Sequence, residues 1–130
     1  MNLKISVLAS GSSGNSIYVT DGNSSILIDA GLSGKELSKR MKKVGVPADK
    51  IDAILITHEH RDHISGAGVM SRRYNIPIFA NQLTWESGSE LVGSVSEDNC
   101  CIFDDKFMIG NIGVEPFSIS HDAADPVGYI

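Results

Sequence analysis

Residues 57–63, with the sequence THEHRDH, concentrate side chains that bind transition metals. Three of the four histidines of the chain, His58, His60 and His63, lie within six consecutive positions together with Asp62. A single histidine is more often solvated than a ligand, but this density of imidazole and carboxylate groups favours a metal site. These ligands suit zinc best, with manganese, iron or cobalt as alternatives and calcium disfavoured.

The spacing of these side chains indicates two metals. In an extended segment, alternation would place His58, His60 and Asp62 on one side and turn His63 to the other. One side could then bind one metal, while Asp62 and His63 reach a second. Two metals about 3.5–4 Å apart can hold a hydroxide between them and stabilise a leaving oxygen. The loop therefore predicts metal-assisted hydrolysis.

A first-row metal needs more ligands than this loop supplies, so a distant ligand is expected. The remaining histidine is His121, which follows a predicted strand over residues 114–120. Because the chain contains no further histidine, His121 is predicted to be the third imidazole of the first metal.

The pattern of apolar residues predicts an α/β domain over residues 1–130 that positions this loop. Residues 51–57 (IDAILIT) are almost all apolar, as in a strand covered on both faces, and the histidines follow its C-terminal end. Open α/β sheets bind their ligands at that end of their strands. Strands are also predicted over 3–9, 16–20, 25–29, 76–80, 100–103, 106–109 and 113–119, and helices after Gly31, over 65–74 and over 81–91, the last interrupted by Gly88.

Composition excludes some classes of function. The net charge of −5 argues against a surface that neutralises many phosphates, but it leaves room for a small cationic site. No apolar run approaches the roughly 20 residues of a transmembrane helix, and no signal-peptide core is found at the start. Cys100 and Cys101 are adjacent and predict buried, unpaired thiols, which indicates a cytoplasmic location.

The motif H-x-H-x-D-H after a buried strand, with a later lone histidine, resembles that of the metallo-β-lactamase superfamily of binuclear metal hydrolases. Residues 27–31 (LIDAG) are similar to the first motif of that family, whose aspartate corresponds to Asp29. The segments ASGSSGNS and SHDAADPVGY resemble the YycJ/WalJ-like branch, whose members are cytoplasmic and nuclease- or phosphodiesterase-like.

The resemblance implies a role for each candidate residue. His58, His60 and His121 would bind the first metal, whereas Asp62 and His63 would bind the second. Asp62 would also orient the attacking water, and Asp29 would support the metal loop from behind. The implied cofactors are two divalent ions, zinc or else manganese or iron.

The loop SGSSGNS is implied to lie near the metals, where Ser13 or Asn15 could contact a substrate oxygen. A plain β-turn with hydroxyls satisfied within the loop is the alternative.

The family pattern also implies that this chain is incomplete. Members of this kind have a bridging aspartate well beyond the third histidine and a final histidine, and Asp122 and Asp125 lie too close to His121 for the former. We therefore expect the N-terminal half of an αββα sandwich, with a mixed sheet and flanking helices, truncated and inactive alone. An uncovered apolar edge would favour association with a missing C-terminal half or with a second copy.

Three functions follow from this pattern. The first is a phosphodiesterase or exonuclease that cleaves nucleic acid through a hydroxide between two metals. The second is a thioester or ester hydrolase of glyoxalase type that uses the same site. The third is a non-catalytic, metal-binding interaction domain.

Overall fold

The computed structural model describes residues 3–118 and 127–129. The strands are β1 (Lys4–Ala9), β2 (Ser16–Thr20), β3 (Ser25–Ile28), β4 (Ala53–Leu55), β5 (Ile78–Ala80), β6 (Cys100–Ile102), β7 (Phe107–Ile109), β8 (Ile112–Val114), β9 (Pro116–Ser118) and β10 (Val127–Tyr129). The helices are α1 (Gly34–Lys43), α2 (Arg61–Ile64), α3 (Ala67–Tyr74) and α4 (Gln82–Val92).

Six strands form one mixed sheet in the order β1-β2-β3-β4-β5-β6. Short turns join β1, β2 and β3, which pair antiparallel. Helical connections join β3 to β6, which pair parallel, because a parallel pair requires a long crossover. The predicted α/β class with a mixed sheet and flanking helices is confirmed.

The two faces of the sheet pack against different layers. In β4 and the residue after it, Ile54 and Ile56 face a core shared with Leu37 and Met70 of the helices. Alternate residues such as Leu55 face a second cluster, which the β7–β8 hairpin covers. The nearly all-apolar sequence of β4 follows from this cover on both sides.

Helix α1 begins where the sequence predicts it. The Ser33 hydroxyl accepts a hydrogen bond from the backbone N–H of Glu36 at 3.2 Å and caps the first turn. Leu37 and Met41 are fully buried, whereas Val44, about one turn after Met41, is exposed because the helix ends there.

Two local predictions are wrong. Helix α4 continues through Gly88, because that glycine is buried where the helix packs on Ile64 and Glu59. Cys100 is exposed on the edge strand β6, and Cys101 is half-buried, so the pair does not form the predicted buried thiols.

Within residues 3–118 and 127–129, no helix is long and apolar enough to cross a membrane.

Candidate metal centre

The histidine loop leaves the C-terminal end of β4 and folds back on itself. His58 is buried, and its ring centroid lies 4.8 Å from that of His60 and 4.0 Å from that of His63. The predicted extended alternation is wrong, because the chain becomes helical at Arg61 and the His63 N–H donates to the His60 carbonyl at 2.9 Å. This turn returns His63 to the other two imidazoles and brings Asp62 beside them.

Asp29 lies directly after β3 and holds the loop in place. Its two carboxylate oxygens accept hydrogen bonds from the Thr57 N–H and the Thr57 hydroxyl, both at 2.8 Å. His63 Nδ1 lies 2.6 Å from Asp29 Oδ2 and must carry the proton, because the carboxylate only accepts. Asp29 adopts a left-handed φ of 65°, which aspartate tolerates better than most residues. The aspartate therefore fixes the orientation of the His63 ring.

Thr57 determines the tautomer of a second imidazole. Its hydroxyl donates to Asp29 and lies 2.9 Å from His58 Nδ1, so it accepts a hydrogen bond from that nitrogen. Both His58 and His63 then carry the proton on Nδ1 and the lone pair on Nε2. A ring N–H held by an oxygen acceptor is the usual state of a metal-binding histidine. Sequence reasoning missed this role of Thr57, although the residue directly precedes the histidines.

Opposing effects act on the pKa of His63. Burial lowers it, but the hydrogen bond to Asp29 and the charges of Asp29 and Asp62 raise it above its ordinary value. The net effect shows that the two carboxylates stabilise positive charge at this position.

Asn15 connects the serine-glycine loop to Asp62. The Asn15 N–H donates to the Asp62 carbonyl at 2.7 Å, and its side-chain Nδ2 lies 3.0 Å from the same carbonyl and 3.1 Å from Asp62 Oδ2. Nδ2 also lies 3.3 Å from His63 Nε2 and 2.9 Å from the Gly11 carbonyl. The amide has two protons for these acceptors, so it is committed to the loop and to the candidate ligands.

Gly31 allows the serine-glycine loop and the backbone of Asp62 to approach each other closely. A Cβ atom at Gly31 would lie 1.8 Å from the Asp62 carbonyl oxygen and 2.8 Å from the Asn15 nitrogen. The Gly31 N–H donates to the Asn15 carbonyl at 2.9 Å, and the Ala30 N–H donates to the His63 carbonyl at 2.8 Å. The segment after β3 thus packs directly against the backbone that carries Asp62 and His63.

The donor set fits divalent cations. Asp62 Oδ2 and His63 Nε2 lie 3.6 Å apart. Two ligand atoms that each lie about 2.0–2.2 Å from one zinc ion are at most about 4.4 Å apart, so this pair can share an ion. Among the described residues, no three His, Cys, Asp or Glu side chains form a complete metal site. His121, Asp122 and Asp125 lie outside the described residues.

Ser13 and Asn15, which belong to the same loop, lie in different surroundings. It is exposed and lies on the wall of a cavity of about 480 Å³ that also includes Asp62. The structure therefore places Ser13 near the candidate ligands and open to solvent, whereas Asn15 faces the ligands themselves.

Strand β10 contacts the same loop. The Val127 N–H donates to the Thr57 carbonyl at 2.9 Å, and the Tyr129 hydroxyl donates to the Ile56 carbonyl. Burial and the charge of Asp29 raise the pKa of Tyr129, so its hydroxyl stays a donor. Tyr129 therefore holds the backbone that precedes the histidines.

Solved structures share this fold. The chain superposes on a B3 metallo-β-lactamase with an active-site glutamic acid at a TM-score of 0.76 and 18% identity, covering 96% of this chain and 53% of that one. The MIM-2 metallo-β-lactamase gives a TM-score of 0.75 at 16% identity, covering 90% and 50%. At such identities the likeness concerns the fold alone.

Curated relatives are similar along the sequence. The chain is 45% identical to exodeoxyribonuclease YycJ of Bacillus anthracis, over 99% of this chain and 50% of the relative. It is 42% identical to exodeoxyribonuclease WalJ of Streptococcus pneumoniae strain D39, over 99% and 49%. The chain thus spans about half the length of these relatives. The sequence pattern of the Metallo-beta-lactamase superfamily matches residues 9–99. Together with the fold and the histidine loop, this match shows that the chain belongs to the metallo-β-lactamase superfamily.

Proposed function

We propose that this chain provides the metal-binding part of a binuclear metal-dependent hydrolase that cleaves phosphodiester bonds of nucleic acid as an exonuclease. The convergence of His58, His60 and His63 with Asp62 at the end of β4 carries this proposal. The two exodeoxyribonuclease relatives, which match 99% of the chain, support the choice of substrate.

We assign the ligands from the family pattern that the sequence resembles. His58, His60 and His121 bind the first divalent ion, and Asp62 and His63 bind the second. Imidazole and carboxylate donors favour zinc, with manganese or iron as alternatives. When bound, the two ions lower the pKa of a water molecule and neutralise charge that develops on the phosphate.

The surrounding residues position the ligands. Asp29 holds the Nδ1–H of His63 at 2.6 Å, and Asn15 contacts the Asp62 carboxylate at 3.1 Å. With its carboxylate held in this way, Asp62 orients the attacking water toward the phosphorus atom. Ser13 lies on the cavity wall with Asp62, and we assign it to contact a substrate oxygen.

His121 is assigned from the family pattern, as the remaining histidine of the chain. Val127, shortly after it in sequence, donates to the carbonyl of Thr57, and this contact supports the assignment. The four histidines of the chain are then all assigned, and the assigned ligands of the second ion are Asp62 and His63. We therefore expect the 130-residue chain alone to bind the first ion more tightly and to lack turnover.

An exposed apolar surface supports the proposal that this chain associates with a partner. Leu3, Ile5 and Val7, here named the β1 apolar stripe, are 51%, 65% and 64% exposed. Such a stripe on an edge strand favours association with a C-terminal half or with a second copy. Both cysteines are free, which favours a reducing compartment such as the cytoplasm.

The proposal is tested in a fusion where this chain replaces the matching half of the Bacillus anthracis relative. We expect two metals per molecule by elemental analysis, together with metal-dependent cleavage of labelled DNA. His60→Ala should abolish cleavage and remove about one metal, whereas Asp98→Asn, at an exposed position far along the chain, should change neither.

Other outcomes separate the alternatives. A folded fusion that binds two metals and hydrolyses thioesters or esters but not DNA would favour the small-ester hydrolase. A folded fusion that binds metal and cleaves none of these substrates would favour the non-catalytic domain.

A further inference from the structure

The cavity of about 480 Å³ beside Asp62 has the size of a small-molecule site. Three separate segments form it: the serine-glycine loop with Ser12 and Ser13, the start of α1 with Ser33, and the region of α2 with Arg61 and Ser65. Because Asp62 forms part of its wall, the cavity adjoins the candidate ligands, although none of His58, His60 and His63 lines it.

Some of the hydroxyls in this cavity are available to a ligand. Ser65 donates to the Gly31 carbonyl at 2.8 Å, and Ser33 accepts from the Glu36 N–H, so these two hold the local fold. Ser12 and Ser13 are exposed, and neither makes a side-chain hydrogen bond within the part of the chain that the structure describes. They supply neutral donors next to Asp62.

Arg61 is the cationic side chain of the cavity wall, which also includes the carboxylates of Asp62 and Glu36. Glu36 is paired with Arg40 at 3.2 Å, which offsets its negative charge. Arg61 is exposed, and no carboxylate in the described residues forms an ion pair with it. A guanidinium with two hydroxyl donors matches the oxygens of a phosphodiester, which Arg and Ser commonly contact in protein–DNA interfaces.

The lining also excludes one kind of contact. No aromatic side chain lines the cavity, and the apolar side chain among its walls is Leu32. Proteins that bind single-stranded nucleic acid through its bases stack those bases on aromatic side chains. The cavity can therefore hold a sugar–phosphate unit without reading a base.

We propose that this cavity, through Arg61, Ser12 and Ser13, binds the sugar–phosphate of the nucleotide next to the scissile phosphodiester, independently of base identity. This inference rests on the proposed function and identifies the part of the substrate that the chain recognises. It assigns Arg61 as the residue that binds substrate charge beside the metal centre.

The test measures DNA binding and not turnover. The probe is a fluorescent single-stranded DNA of about ten nucleotides, within the usual site sizes, with phosphorothioate linkages that resist cleavage. Its Kd for the zinc-loaded 130-residue chain is measured by fluorescence anisotropy at several salt concentrations. Arg73→Gln, which removes an exposed arginine from α3, is the matched control for Arg61→Gln.

We expect Arg61→Gln to weaken binding about tenfold, the usual effect of losing one charge-assisted contact. The slope of log Kd against log salt should fall by about 0.7, because one phosphate is no longer neutralised. Ser12→Ala combined with Ser13→Ala should weaken binding about threefold. Each variant should change the Kd by the same factor for DNA homopolymers of different bases. With uncharged methylphosphonate linkages, the Arg61 effect should disappear.

Two results would overturn the cavity assignment. One is an Arg61→Gln protein that melts like the wild type and binds DNA with the affinity and salt slope of Arg73→Gln. The other is a wild-type chain that binds no DNA even at low salt. Neither result bears on metal-dependent cleavage by the fusion protein, so failure of this inference is distinguishable from failure of the proposed function.

Discussion

Asn15 has more contacts to the candidate ligands than any pattern around it indicates. Its backbone N–H and its side-chain amide both reach the Asp62 carbonyl, and the amide also contacts Asp62 Oδ2. Its Oδ1 accepts from the Gly11 N–H at 3.2 Å, so the same side chain closes the serine-glycine loop. One residue therefore couples the shape of that loop to the position of the candidate ligand Asp62.

Asn15→Ala should lower zinc affinity, because the Asp62 carboxylate loses the donor that orients it. Loss of a partner that orients a metal ligand typically costs about 10- to 100-fold in affinity. Competition with a colorimetric chelator measures this change in the fusion protein, where both ions are expected. Asn23→Ala, in the exposed turn before β3, is the control and should leave the affinity unchanged. Equal zinc affinities for the two variants would contradict the positioning role.

The elements of this fold differ in how far local sequence determines them. The all-apolar stretch of β4 and the capped start of α1 at Ser33 follow from periodicity and capping. Helix α2 does not, because a helix of four residues has no periodicity to detect and is not stable alone. It forms where Asp62 and His63 contact Asn15 and Ala30, which are more than 30 positions away in sequence.

The candidate site shows the same division. Residue types and spacing predict His58, His60, Asp62 and His63 as candidate ligands, because they form a local excess of donors that the structure brings close together. The partners of these ligands, Thr57 and Asn15, are common polar residues whose roles depend on contacts across the fold. The role of Asp29 could be predicted only because residues 27–31 resemble a family motif.

Gly31→Ala should destabilise the segment that joins β3 to α1. The added methyl group would fall 1.8 Å from the Asp62 carbonyl oxygen, and backbone on both sides would have to move. Overpacking of this kind costs about 1–3 kcal/mol, sometimes more. Urea unfolding measures the loss against Gly113→Ala in β8, where the nearest atom would be Met108 Sδ at 3.6 Å. Equal unfolding free energies for the two variants would show that the segment relaxes freely.

The chain as a whole covers one face of its sheet better than the other. Helices pack on the first face, whereas the β7–β8 hairpin covers only part of the second. In the β1–β2 pair, Ile5 and Val7 lie opposite Val19 and Ile17, which pack in the second cluster. The β1 apolar stripe therefore extends that apolar face beyond the hairpin, on a strand whose outer edge is unpaired in the described residues.

This stripe should make the 130-residue chain self-associate, because burying exposed apolar surface between copies is favourable and the edge of β1 can pair with another strand. Sedimentation velocity over a range of protein concentrations should show the wild type shifting to larger species. Ile5→Thr combined with Val7→Thr should keep the chain monomeric, since threonine retains the strand preference but removes apolar area. Val44→Thr, which changes a side chain that is 50% exposed at the end of α1, should associate like the wild type. If the double variant and Val44→Thr sediment identically, the stripe is not the surface that brings the chains together.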